Sequence, residues 1–208
     1  MGITIHYRGR IHSVNEVDGL TNELEDFAEI LGWETKVWTE DWSEPNTSRI
    51  VVKQGNAEIK GHLPLRGITL FPHKQCEPVS LTFEPHGCLV DAVGMTLAAK
   101  GKCRPEDMWV STKTQFSPIE THVAIVRLLQ HLDRCSMDRL EVHDEGGYWQ
   151  NGDVGELVRK FNVINEAMDW LEDGLLLHAH EIKLAQTTDQ LVQTIETILR
   201  HFPRGNHE

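Results

Sequence analysis

Residues 109–149 constrain the chain more than any other stretch. They combine an alternating run, a helix-opening signal, a long apolar helix, a second alternating run and a Gly-Gly turn. In residues 109–116, Trp109, Ser111, Lys113 and Gln115 fall on one face, and Val110, Thr112, Thr114 and Phe116 on the other. That period of two, rich in β-branched residues, predicts a half-buried strand. Ser117-Pro118-Ile119-Glu120 then reads as a capping box with proline at the first helical position. From Ile119 to Leu132 apolar residues cover more than one side, so this helix belongs in a core. Residues 139–143 give a short second strand, with Leu140 and Val142 opposite Glu141 and His143.

Strand, crossover helix and strand predict a βαβ unit. The helix is expected to cover Val110, Phe116, Leu140 and Val142. The N-terminal segment has a similar layout. Residues 3–8 alternate, Ser13 and Glu16 form a capping box, and Val17, Leu20, Leu24, Phe27 and Leu31 make one apolar seam on an acidic helix. Gly32 stands where a glycine ends a helix, and residues 33–39 read as the next strand.

Between these units, residues 49–91 break into short alternating runs separated by turns, with Gly55-Asn56 as a hairpin signal. This predicts an antiparallel meander of four or five strands. Beyond Trp149, Asp153 and Glu156 open a helix, which Asp173-Gly174 is expected to break or bend. In the last stretch, to about His201, Leu177, Leu184, Leu191 and Ile198 recur every seven residues, with Ile195 and Phe202 interleaved. Glu181 and Thr188 interrupt that seam, so it falls short of a coiled coil. The expected fold is α+β: a mixed, mostly antiparallel sheet in which two βα units flank a β-meander, with helices mainly on one face. Residues 1–173 would form one domain. Residues 174–208 would be a helical extension, packed on the domain or on a second copy as a homodimer.

The formal charge is −12, distributed as −7 over residues 1–45, +2 over 46–108 and −7 over 109–208. No basic stripe marks a nucleic-acid or anionic-membrane surface. No apolar run approaches the ~20 residues needed to span a bilayer, and MGITIHYRGR enters a strand pattern without an apolar leader. A cytoplasmic protein is expected, with its four cysteines as free thiols.

Two sets of residues carry candidate chemistry. If the strands at 3–8 and 109–116 share a sheet, then His6, Arg8, Lys113, Gln115, Glu141 and His143 share its polar face. Asp144, Glu145 and Tyr148 follow at the turn. Lys113, Glu141, His143, Asp144, Glu145 and Tyr148 are the groups needed for general acid–base work, because mutual charges move such pKa values toward neutrality. They define a candidate hydrolase or transferase site. The second set is His73 and Cys76 with His86 and Cys88, two imidazole–thiol pairs suited to a tetrahedral zinc if neighbouring hairpin ends bring them together. Phosphate-binding glycine loops, the His-Glu-x-x-His helix and the Gly-x-Ser-x-Gly elbow are all missing from the sequence. The leading expectation is therefore a binding or regulatory protein that uses the polar sheet face and acidic surface toward a protein or small molecule. A small enzyme and a zinc-stabilised meander stand as alternatives.

Overall fold

The computed structural model describes residues 2–184 and 187–200. The chain divides by its contacts at Leu157/Val158 into two compact units.

The first unit opens with β1 (Thr4–Ile11). Ser13 then accepts a hydrogen bond from the Asn15 amide and starts a 3-10 turn that leads into α1 (Val17–Leu31). Gly32 takes the left-handed conformation, φ 68°. The Trp33 amide reaches back to the Ala28 carbonyl and the Gly32 amide to that of Glu29, a glycine-ended termination of the kind the sequence predicts. The strands β2 (Glu34–Thr39), β3 (Arg49–Lys53), β4 (Asn56–Lys60), β5 (Arg66–Phe71) and β6 (Val79–Phe83) follow, then α2 (Ala92–Ala99). The β3–β4 turn is made by Gln54 and Gly55, both at positive φ (50° and 83°), which matches the twist of a two-residue hairpin. Residues 109–149 become β7 (Val110–Lys113), α3 (Ile119–Cys135), β8 (Met137–Asp144) and the short α4 (Tyr148–Asn151).

The architecture is α+β with antiparallel strand pairing. One three-stranded sheet has the order β7-β1-β8, another β2-β5-β6, and β3-β4 stands as a separate hairpin. Strand β1 lies antiparallel to both β7 and β8, so those two run in the same direction with β1 between them. The crossover through α3 thus skips over β1 instead of joining neighbours. The N-terminal unit also differs from a simple βαβ: after α1 the chain enters the other sheet, where β2 pairs with β5.

Residues 87–90 stitch the two sheets together. Leu89 and the Gly87 carbonyl bond to β1 at Gly9 and Ile11, while Val90 and Cys88 bond to the end of β6 at Thr82 and Glu84. Tyr7 adds a side-chain link, because its buried hydroxyl accepts from the Ser80 amide at 3.0 Å. The core between sheets and helices is built from Ile3 just ahead of β1, Ile5 and Tyr7 of β1, Leu24 of α1, Ile68 and Leu70 of β5, Leu81 of β6, and Ile125 and Leu129 of α3. Burying each such side chain contributes about 1.5–3 kcal/mol. A smaller apolar cluster of Leu63, Leu65, Val90 and Met95 packs against Trp38 and Ile59.

Local readings around α3 need correction. The strand ends at Lys113, not at residue 116. Phe116 lies beyond it and is 49% exposed, so it is not among the residues the helix covers. Gln115, expected on the polar face, is buried. Ser117 caps nothing: its hydroxyl donates to the Thr114 carbonyl, and Pro118 occupies the N-cap position. Once the strand stops, the backbone turns through Thr114–Ser117 and period two no longer assigns faces.

Helix α5 (Val154–Leu177) starts at Asp153, whose carboxylate accepts from the Glu156 amide, as expected. It passes through Gly174 without a break. In the second unit it is followed by α6 (Ala179–Leu184) and α7 (Thr188–Arg200). A Cβ on Gly174 would meet Ile198 Cγ2 at 2.7 Å, so the glycine is there for close helix approach and not as a breaker. Along the seven-residue seam Ile198 is buried, Leu191 half-buried, and Leu177 and Leu184 exposed. Phe202 and the expected end near His201 lie outside the described residues. No helix among the described residues is long and apolar enough to cross a membrane.

Candidate binding face

Strand alternation and register together build a row of polar and aromatic side chains. Ile5 and Tyr7 point into the core, so Thr4, His6 and Arg8 must point out. The register sets Thr4 opposite Lys113, His6 opposite both Ser111 and His143, and Arg8 opposite Glu141. Directly opposed side chains on one face interact, and here they do. His6 Nδ1 lies 2.7 Å from Ser111 Oγ. The His6 and His143 rings stack with centroids 5.9 Å apart. Arg8 donates through Nε and Nη2 to Glu141 Oε2, at 3.1 and 2.7 Å, and lies over the Trp109 ring at 4.7 Å. Arg139 holds the other Glu141 oxygen at 2.5 Å.

At the far end of the row, Glu145 Oε2 accepts from the Thr4 amide and Oε1 stands 3.9 Å from His6 Nε2. Lys113 Nζ rests over the Phe116 ring at 5.1 Å. The hydrogen bond from Arg8 first, with Arg139 beside it, holds the Glu141 carboxyl below its ordinary range. The Arg8 end opens into a polar cleft of about 290 Å³ lined by Arg10, Cys88, Glu106 and Asp107. The whole row is solvent-accessible, with Trp109 40% exposed.

The opposite face of the same strands carries a second polar group that solvent does not reach. Thr114, His122 and Asp144 are all buried. His122 Nδ1 lies 2.8 Å from Thr114 Oγ1, and His122 Nε2 is 3.2 Å from Asp144 Oδ1. A ring that donates its Nε2 proton to Asp144 accepts the Thr114 hydroxyl at Nδ1. Asp144 also accepts from the Gly146 and Trp149 amides. Burial raises its pKa, but the hydrogen bond and electrostatic pull of the His122 ring, with those two amides, outweigh it and leave the carboxyl below its ordinary range. The hydroxyl–imidazole–carboxylate order is that of a nucleophile relay, but with its hydroxyl sealed it joins the turn after β7, α3 and the end of β8.

The six residues of the acid–base set are therefore divided. Lys113, Glu141, His143 and Glu145 belong to the outer face. Asp144 belongs to the buried group, and Tyr148 is buried, its hydroxyl 3.4 Å from Arg127 Nη2. The two imidazole–thiol pairs are also kept apart, because β6 separates the His73/Cys76 turn from the His86/Cys88 turn. His73 Nδ1 accepts from the Gln75 amide. Burial pushes the Cys76 thiol up to about 11. Cys88 receives Arg10 Nη2 at 3.2 Å, and His86 is exposed. Among the described residues no three His, Cys, Asp or Glu side chains are grouped as a metal site.

Sequence reasoning left Trp109 and Ser111 out of the site, although their alternation with Val110 and Thr112 places them on it. It also left out His122 and Thr114, whose pairing with Asp144 has no local signal. No protein-family model, curated protein or solved structure matches the chain significantly.

Proposed function

We propose that this is a binding protein whose working surface is the outer face of β7-β1-β8, and that its partner is another polypeptide. The observation that carries this reading is the Arg8–Trp109 stack on an accessible, two-signed polar row, beside the cleft at its Arg8 end. Tryptophan and arginine dominate the energetics of protein–protein contacts, because each joins large buried area to a directed polar group. Around the stack, Glu141, Arg139, His6 and Glu145 supply both charges, which suits a polypeptide surface of mixed sign. An enzymatic use of the same face draws less support, since Asp144 and Tyr148 are turned inward, away from Lys113, Glu141, His143 and Glu145.

A photo-crosslinking amino acid placed at Ser111, in the row, and at Glu25, on the exposed side of α1, tests the reading in an extract of the source cells. The same polypeptide should be captured from position 111 and not from position 25. Equal capture at both positions, or none at 111, overturns it.

A further inference from the structure

Glu23 of α1 meets His131 of α3, and from that pair the shared lining runs forward along α1 to Leu31 and backward along α3 to Ala124, so the two helices lie side by side and antiparallel. Between them runs a furrow of about 580 Å³ floored by Leu24, Phe27, Ala124 and Leu128. Ile30 stands at its edge with 83% of its surface exposed, far more than an apolar side chain on a core-packed helix retains. The two walls differ in sign. The α1 wall carries Glu23 and Asp26, and the α3 wall carries Arg127 and His131. Glu23 and His131 already meet across one end, at 2.9 Å, which fixes the relative height of the two helices.

We infer that this furrow is a homodimer interface with the two-fold axis running along it. Two orientations of a two-fold axis in the plane of this face keep the helices of the two copies aligned. An axis across the furrow sets α1 on α1 and α3 on α3, stacking acid on acid and base on base. An axis along the furrow sets α1 of one copy over α3 of the other, so each acidic wall meets a basic one, twice by symmetry. Heights are preserved by that rotation, so Asp26 meets the partner's Arg127, and Ile30 closes over the partner's Ala124. A single external helix would carry one pattern to a furrow of two signs; a second copy supplies both walls by construction. The arrangement buries Phe27 and Ile30 of both copies and leaves the outer faces of the two sheets pointing in opposite directions. It stands independently of the function proposed above.

Sedimentation velocity on the full chain at tens of micromolar tests it. The wild type should sediment as a dimer. Ile30→Glu, a change at an exposed position that leaves thermal unfolding intact, should sediment as a monomer. Asp26→Arg and Arg127→Glu should each weaken the dimer at least tenfold, and the two together should restore it. Leu177→Glu, on the exposed part of the C-terminal seam, should leave it unchanged. A monomeric wild type overturns the inference. So does a dimer that survives Ile30→Glu, fails to return in the charge swap, or is lost in Leu177→Glu.

Discussion

His122 Nε2 and Asp144 Oδ1 lie 3.2 Å apart, and solvent reaches neither side chain. A buried carboxylate is costly unless its lone pairs are filled, and here they are filled by His122 and by the amides of Gly146 and Trp149. Asp144→Ala would remove the buried carboxylate that the His122 ring and the Gly146 and Trp149 amides share. The expected loss is about 3–5 kcal/mol, the range for breaking a buried pair by removing one partner. Urea unfolding followed by tryptophan fluorescence measures it. A loss under about 1 kcal/mol would mean that water or a neighbouring group replaces the carboxylate.

The same group gives stability a pH dependence. The folded-state pKa of Asp144 is below its ordinary value, so the unfolded chain binds the proton first as pH falls. Its stabilising contribution is complete above the unfolded value of about 3.9 and is lost as pH drops through the lower folded value. The stability gap between wild type and Asp144→Asn should therefore narrow from about pH 5 to pH 2. Urea midpoints at several pH values in that window check this, and a gap that is constant or widens contradicts it.

Cysteine reactivity should follow burial and local charge. Cys135 is exposed, whereas burial pushes the Cys76 thiol up to about 11 and burial with Glu84 raises that of Cys88. Limited iodoacetamide at neutral pH should modify Cys135 first, leaving Cys76 and Cys88 for the unfolded chain. Peptide mass spectrometry gives the order, and labelling of Cys76 as fast as Cys135 would refute it.

Gln115 offers a stabilising substitution. Its side chain is buried, and neither its amide nitrogen nor its carbonyl oxygen has a hydrogen-bond partner among the described residues. An unpaired buried amide costs about 1–3 kcal/mol. Gln115→Met keeps the length and removes both polar atoms, so the denaturation midpoint should rise, by about 1 kcal/mol in stability. A fall would show that the amide is satisfied in solution.

Much of the fold was legible because it rests on local chemistry. The seam Val17, Leu20, Leu24 with Gly32 behind it defined α1, and Asp153 with Glu156 opened α5, since capping and periodicity act within a few residues. Alternation likewise put His6, Arg8, Lys113, Glu141 and His143 on one face. It failed where a strand ended without a marker: two residues past Lys113, Gln115 turns inward. Asp144 differs for the opposite reason. It still belongs to β8, so period two sends it to the core beside Val142, although reading it with the following turn set it outside. Gly174 resembled a breaker because glycine weakens helices, but its reason is tertiary, the approach of Ile198. The furrow was invisible in sequence, since Asp26 and Arg127 come from separate helices that only the strand order brings side by side.

Calorimetry decides whether the outer face around Arg8 and Trp109 is the working surface. The polypeptide captured at position 111 is titrated into wild type and Trp109→Ala. Trp109 lies outside the core, so the variant should keep the wild-type melting temperature. Removing a tryptophan anchor costs about 2 kcal/mol or more, a weakening of roughly 30-fold. A dissociation constant within about twofold of wild type would place the partner elsewhere and contradict the account.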